Sequence, residues 1–282
     1  VLSFPPPPSA PPVTITIIDV VRAPAKKGDF PGLYSYSLPN RVWTNDSRHM
    51  VFDTLWGSQW GVICVDTKTK TLKRLTGAAN IHGLASLIVL DVVGNNVLIK
   101  ESTPISTHQV HLVKLDLKES EGSVMPGSWE CVRSGVPIRD DKHRNALADC
   151  SFHVASIPLD AKEPSSNALE AIVVFPKTNQ PCPLVLRPHG GPHGGVATTY
   201  NWEHAMLLLQ GFAVAAINYR GSIGFGQDAL ESLPGNCGRR DVDDCMATLK
   251  HVLAMEKDGK KLIDPARVMV WGGSHGGFLT TH

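Results

Sequence analysis

The fold is decided by the stretch Val268-Met-Val-Trp-Gly-Gly-Ser-His-Gly-Gly-Phe-Leu-Thr-Thr-His282. Its first four residues are apolar and predict a strand, and its last residues are compatible with a helix. Between them, Gly272-x-Ser274-x-Gly276 has the spacing of a nucleophile elbow, in which a serine stands on a sharp strand-to-helix turn. The two glycines leave room where strand and helix pass each other. We therefore predict that Ser274 is a catalytic nucleophile rather than part of an ordinary glycine-rich turn.

A second glycine motif, Leu184-Val-Leu-Arg-Pro-His-Gly-Gly-Pro-His193, follows an upstream apolar run. Acyl-transfer enzymes with a nucleophile elbow need an amide donor on the loop after this strand, aimed at the developing oxyanion. Pro192 has no N–H group, so Gly190 or Gly191 must be that donor. The amide of His275, the residue after the serine, is the expected second donor. The two motifs stand in the order that an α/β-hydrolase requires.

The second half of the chain alternates between strand and helix patterns. We predict strands at 168–175, 183–187, 212–218 and 267–271, and helices at 202–210 and 242–255. Such alternation is typical of a parallel α/β sheet. Asp241 stands where it can cap the second helix. A polar, proline-containing stretch at 158–167 marks the expected junction, which gives predicted domains at 1–157 and 158–282.

The first half of the chain has strand patterns throughout. A β-branched run occupies 13–21, and two groups of three short strands follow, at 50–54, 61–66 and 71–75 and at 87–93, 96–101 and 109–117. The second group repeats the first after about 47–50 residues, close to the roughly 40–50-residue period of four-stranded propeller blades. A β-sandwich produces strands at the same spacing, so this alternative stays open.

Composition excludes several classes of function. The 282 residues include 27 basic and 26 acidic side chains, a net charge of +1, so we expect no nucleic-acid partner. No apolar run approaches the ~18–20 residues of a membrane helix, so we expect no membrane partner. The six cysteines lack a Cys-x-x-Cys spacing, and no His-Glu-x-x-His occurs. We predict free thiols in a reducing compartment, no metal and no cofactor.

The chain resembles the prolyl oligopeptidase family of serine peptidases, and within it the acylaminoacyl-peptidase branch. Three motifs carry the resemblance: Pro188-His-Gly-Gly-Pro-His193, Asn218-Tyr-Arg-Gly-Ser-x-Gly-Phe-Gly-Gln227 and Gly272-Gly-Ser-His-Gly-Gly-Phe278. The histidine at position 275 indicates this branch, and residues 43–53 resemble a late propeller blade. The resemblance implies C-terminal blades of a partial β-propeller followed by an α/β-hydrolase domain with a mostly parallel sheet, truncated after the nucleophile elbow.

The same resemblance implies a serine peptidase that releases an N-acylated amino acid from the blocked N-terminus of a short peptide. Carried over by position, Ser274 is the nucleophile, Gly191 and His275 supply the oxyanion amides, and His189 braces the oxyanion loop. It also implies short N-acylated peptides as partners, a cytoplasmic location and a homo-oligomer of the full-length protein.

The chain departs from the family's pattern after the serine. The family's triad needs an Asp and then a His downstream of the nucleophile. Only eight residues follow Ser274, and none of them is Asp. We therefore expect a fragment of a longer enzyme. Two alternatives remain open: a non-catalytic fragment or interaction module, and a related carboxylesterase or dipeptidyl peptidase that uses the same chemistry on another substrate.

Overall fold

The computed structural model describes residues 14–75, 84–118, 123–134, 138, 140–159 and 169–282. These residues form two antiparallel sheets in the first half of the chain, a larger mixed sheet in the second half, and a two-stranded hairpin. Each sheet is open within the described residues.

Six short strands predicted in the first half are confirmed. The first sheet has the order β1-β2-β3, with β1 (His49–Trp56), β2 (Gln59–Asp66) and β3 (Thr71–Leu75). The second has the order β4-β5-β6-β7, with β4 (Ser86–Val93), β5 (Asn96–Thr103), β6 (Ser106–Lys118) and β7 (Ser123–Arg133). Strand β7 was missed, because Pro126 and Gly127 weaken a strand pattern.

The two antiparallel sheets share one apolar core and one strand spacing. The core takes side chains from both sheets, among them Val51, Val62, Leu87 and Ile99. β5 begins 47 residues after β1, and β6 begins 47 residues after β2. In the first sheet, Trp43 forms an isolated β-bridge with Met50 of β1. This bridge corresponds to the pairing of β4 with β5 in the second sheet. The two sheets are therefore two copies of one strand pattern.

The predicted strand at 13–21 is wrong for residues 14–21, which join no sheet, while Val13 lies outside the described residues. Ile17 and Ile18 instead pack against the apolar cluster that contains Phe52 and Ile63. Further along, the carbonyl of Val21 accepts a hydrogen bond from the amide of Gln227 over 2.9 Å. Ile17 and Ile18 are thus partly buried without strand pairing, because tertiary packing overrides local propensity.

The second half forms a five-stranded sheet flanked by helices. Its elements are α1 (Asp141–Ala148), β8 (Ser151–Ser156), β9 (Glu170–Phe175), β10 (Cys182–Pro188), α2 (Trp202–Leu209), β11 (Ala213–Asn218), α3 (Gln227–Glu231), α4 (Arg240–Ala254), the hairpin β12 (Glu256–Lys257) and β13 (Lys260–Lys261), β14 (Ile263–Val270) and α5 (His275–Thr281). The strand order is β14-β10-β11-β9-β8. The helices and strands predicted from the alternation are all present, with ends shifted by a few residues.

The expectation of a parallel sheet holds for only three of these strands. β10 runs parallel to β11 and β14, whereas β9 runs antiparallel to β11 and to β8. Only six residues, 176–181, join β9 to β10, too few for the crossover that a parallel arrangement requires. Helix α2 supplies such a crossover between β10 and β11.

Strand β8 lies on the first-half side of the predicted boundary at 157/158, yet it pairs with β9 along its whole length. Leu147 and Cys150, which lie just before it, pack in the same cluster as Ile172 and Ala216. The mixed sheet therefore begins upstream of the polar stretch at 158–167, whose residues 160–167 lie outside the described part of the chain.

The central strands of the mixed sheet are covered on both faces. One face packs with α4 and α5 through residues such as Leu184, Ala215 and Val252, and the other packs with α1 and α2 through Ile172 and Ala216. β9 and β11 are buried at every position, which is typical of strands with helices on both sides. No helix in the described parts of the chain combines the length and the hydropathy that a membrane span needs.

A buried polar network joins the two halves at the β1–β2 turn. Asn218, at the end of β11, donates to Ser58 Oγ over 3.0 Å and to the carbonyl of Val196 over 2.8 Å, and it accepts from the amide of Val196 over 2.7 Å. Ser58 in turn donates to Glu170 over 2.8 Å. Since Asn218 and Ser58 are buried, each of these groups depends on the others for its hydrogen bonds.

We expect Asn218→Ala to lower the free energy of unfolding by about 1–3 kcal/mol, because it leaves buried polar groups in both halves without a hydrogen-bond partner. Asn96→Ala makes the same change at an exposed position and should stay within about 0.5 kcal/mol of the unchanged protein. Urea denaturation of both variants measures the difference. Equal stabilities would show that the network does not hold the two halves together.

Candidate active site

Ser274 stands at the tight turn between β14 and α5. Its backbone has φ 55° and ψ −126°, in the positive-φ region that residues with a side chain rarely adopt. The residue is exposed, and its side chain makes no capping hydrogen bond to α5. A strained serine that presents its hydroxyl at the end of a strand is the geometry that the sequence predicts for a nucleophile elbow.

The two flanking glycines of the elbow are needed for steric reasons. A Cβ added to Gly272 would lie 2.3 Å from the carbonyl oxygen of Gly276, and one added to Gly276 would lie 2.2 Å from the carbonyl oxygen of Pro188. Backbone atoms occupy both spaces, so no side-chain movement relieves the clash. The turn therefore closes on itself and against the end of β10.

The predicted oxyanion loop lies beside the serine. A Cβ on Gly190 would lie 3.2 Å from the Cβ of Ser274 and 3.8 Å from its Oγ, so the glycine backbone lies close against the nucleophile. Gly191 has φ 136°, and a Cβ there would lie 2.7 Å from the amide nitrogen of His193. Gly190 thus permits the close backbone approach that an oxyanion hole requires, and Gly191 permits the tight turn of the loop that follows.

His189 is held behind this loop. Its Nε2 lies 2.8 Å from Ser222 Oγ, and its ring stacks on Tyr219 at 4.4 Å between centroids. Tyr219 Oη also donates to the backbone carbonyl of His189 over 3.0 Å. Burial lowers the pKa of His189 to about 4, so the imidazole is neutral at pH 7. These contacts fit the predicted bracing role better than a role in proton transfer.

A buried ion pair fixes the loop that carries Tyr219 and Ser222. The Arg220 guanidinium donates to Asp244 of α4 through Nη2 over 2.7 Å and through Nε over 3.0 Å. The backbone amide of Arg220 donates to the same carboxylate over 2.7 Å. Such multiple contacts set the loop's position with little freedom. No local sequence pattern assigns Tyr219 this place beside the oxyanion loop.

His275 is the first residue of α5, and its side chain is directed to α4. Its Nε2 donates to Asp241 Oδ2 over 2.7 Å. The prediction that Asp241 caps α4 is wrong: Arg239 is the N-cap residue, and Asp241 lies inside the first turn, where it accepts from the amides of Gly238 and Val242. The helix begins at Arg240, two residues before the predicted start, so Asp241 lies inside it.

The described residues contain no group of three or more His, Cys, Asp or Glu side chains that could hold a metal ion. All six cysteines are free. Burial raises the pKa of Cys64 and of Cys245 to about 12, so these thiols stay protonated and unreactive near neutral pH.

Comparison with known proteins agrees with this geometry. Residues 198–282 match the model of the prolyl oligopeptidase family, and residues 9–143 match the N-terminal domain of the acylamino-acid-releasing enzyme. The chain belongs to the prolyl oligopeptidase family. The matched residues 198–282 include both the elbow and the loop from Asn218 to Gln227.

Similar curated proteins are much longer than this chain. The acylamino-acid-releasing enzyme 1 of rice is 34% identical over 274 residues, which cover 94% of this chain and 34% of that protein. The acylamino-acid-releasing enzyme of mouse is 36% identical over 278 residues, covering 96% and 35%. The chain therefore spans about a third of the length of these relatives.

Solved structures agree in fold. A puromycin-hydrolyzing peptidase of Mycobacterium tuberculosis superimposes with a TM-score of 0.61 at 21% identity, over 90% of this chain and 36% of that one. The superposition includes both halves of the chain, so the arrangement of two antiparallel sheets followed by a mixed α/β sheet is shared.

We expect Gly276→Ala to lower the free energy of unfolding by about 1–3 kcal/mol, because its methyl group overlaps the carbonyl of Pro188. The displaced elbow should also react about 100-fold more slowly with a fluorophosphonate, as expected for a misplacement near 1 Å. The fraction of the full-length protein that is labelled after fixed reaction times measures this rate.

Gly277→Ala is the matched control in the same helix. Its Cβ would come no closer than 3.4 Å to any neighbour, so both stability and labelling should be retained. If the two variants label at the same rate, the close approach at Gly276 does not set the position of Ser274.

Proposed function

We propose that the full-length protein is a serine peptidase that releases an N-acylated amino acid from the blocked N-terminus of short peptides. The observation that carries the proposal is the placement of Gly190 against an exposed Ser274 with φ 55°. A nucleophile and a glycine loop in this arrangement serve acyl transfer. Relatives at 34–36% identity named acylamino-acid-releasing enzyme support the choice of substrate class.

In the proposed reaction, Ser274 Oγ attacks the carbonyl carbon of the N-acylated residue and loses its proton to a general base. The amides of Gly191 and His275 donate to the oxygen that becomes negatively charged, and His189 holds the loop behind Gly191. Collapse breaks the peptide bond, the leaving amine takes a proton, and the N-acylated residue stays bound to Ser274 as an ester. Water then hydrolyses the ester and restores the hydroxyl.

The acid and base partners of Ser274 are not assigned among these 282 residues. In α/β-hydrolases, the Asp and the His follow the serine in chain order. His189 and His275 are both engaged elsewhere, with Ser222 and Asp241. We propose that the triad Asp and His lie beyond position 282 of the longer protein.

We also propose that the two antiparallel sheets are blades of a β-propeller that precedes the α/β-hydrolase domain. The common core, the 47-residue repeat and the four-stranded second sheet support this arrangement. We propose that β8 belongs to the hydrolase domain, so the boundary between the two domains lies before Ser151 and not at the predicted 157/158. The cytoplasmic location and the homo-oligomer stay predictions.

We expect Ser274→Ala in the full-length protein to abolish hydrolysis of an N-acetylated amino-acid chromogenic amide, because the acyl-enzyme cannot form. Ser151→Ala, at an exposed position of β8, should keep full activity. Turnover by Ser274→Ala equal to that of the unchanged protein would remove this serine from the mechanism.

The choice of substrate separates the alternatives. An N-acetylated amide that is cleaved far faster than a dipeptide amide with a free amine supports the proposed specificity. Preference for the free amine would indicate a dipeptidyl peptidase, and cleavage of esters alone would indicate a carboxylesterase. If a fluorophosphonate fails to label Ser274 in the full-length protein, the protein is not a serine hydrolase.

A further inference from the structure

The side chain of His275 has no part in the proposed reaction, although it belongs to the residue after the nucleophile. Its imidazole is 13% exposed and bonds with Asp241, whose side chain is fully buried. Its ring also lies 5.9 Å from that of Tyr219 and 5.4 Å from that of Phe278. An imidazole held in this way cannot reorient without breaking a buried hydrogen bond to a carboxylate, which is costly.

Asp241 is itself rigidly held. Its Oδ1 accepts from the amide of Gly238 over 2.7 Å and from the amide of Val242 over 3.1 Å, and its Oδ2 is left for His275. A buried carboxylate needs all of these donors, because an unpaired charge in the interior is strongly unfavourable. The carboxylate therefore fixes the His275 ring to α4, a helix of 15 residues that packs on the sheet.

The elbow needs such an anchor. Glycines precede and follow Ser274 and His275 at positions 272, 273, 276 and 277, and glycine restricts the backbone least. α5 has only seven residues. The amide of His275 must nevertheless be aimed at one oxygen, and an error near 1 Å can reduce a rate about 100-fold. The His275 ring is the only side chain at positions 272–277, apart from the nucleophile's own.

We propose that Asp241 is a positioning residue for the oxyanion hole: it binds the imidazole of His275 and thereby fixes the backbone amide of that residue beside Ser274. This inference rests on the proposed function, since it assigns His275 as an oxyanion donor. Tyr219 lies between this anchor and His189, with ring contacts to both histidines, so the two oxyanion donors are supported by one cluster.

Two variants break the hydrogen bond from opposite sides. Asp241→Asn keeps an oxygen for the amides of Gly238 and Val242 but turns an NH2 group toward Nε2. His275→Phe keeps the backbone amide and a ring beside Tyr219 and removes the nitrogen. In the full-length protein, we expect each to lower kcat for the N-acetylated amide about 10–100-fold with KM nearly unchanged, because the amide acts on the transition state.

The double variant should be no slower than the slower single variant, because both changes remove the same interaction. Affinity for an N-acetylated trifluoromethyl ketone, whose adduct oxygen occupies the oxyanion hole, should fall by the same factor as kcat/KM. A purely structural defect would lower the melting temperature without this proportionality. Asp243→Asn removes the same charge from an exposed position in the same turn of α4 and should leave kcat unchanged.

The inference is overturned if Asp241→Asn and His275→Phe keep full kcat, if KM alone changes, or if Asp243→Asn loses as much as Asp241→Asn. The rate of fluorophosphonate labelling at Ser274 tests the anchor without reference to the peptide substrate, and it should fall in both variants. Failure of the proposed function is a different result, in which the unchanged full-length protein neither cleaves the N-acetylated amide nor becomes labelled.

Discussion

The close approach of the elbow to the end of β10 is the constraint on which the site depends. Gly276 lies so near the carbonyl of Pro188 that any side chain would overlap it. This contact brings the turn that carries Ser274 to the place where the oxyanion loop begins, because His189 and Gly190 follow Pro188 directly. The nucleophile and the backbone of Gly190 are therefore neighbours through backbone packing, before any side chain contributes.

Side chains then hold the elbow and the oxyanion loop in place. Tyr219 stacks on His189 and lies beside His275, and Arg220 ties the same loop to Asp244. The first half of the chain adds to this support, since the amide of Gly57 donates to the carbonyl of Gly224 over 2.8 Å. A strained serine persists only where its surroundings determine its backbone. The end of β10, the loop after β11 and helix α4 supply those surroundings here.

The fold could be predicted from the sequence wherever one element determines its own pattern. Short strands such as β2 and β3 have turn residues at both ends, and α4 has a clear apolar face, so their limits were nearly right. The strand predicted at 13–21 is wrong for residues 14–21, because Ile17 and Ile18 pack, partly buried, against an apolar cluster without strand pairing. The antiparallel direction of β9 follows from its short connection to β10. The residue pattern within a strand carries no information about that direction.

The sequence by itself determined the elbow, the glycine loop and their order, because steric exclusion of side chains leaves glycine as the residue that fits at Gly272 and Gly276. Only the tertiary structure decided what holds these loops. The partners of His189 and His275, Ser222 and Asp241, lie 33 and 34 residues away along the chain. No local pattern specifies such pairs, because they form only when the sheet brings β11, α4 and α5 together at one edge.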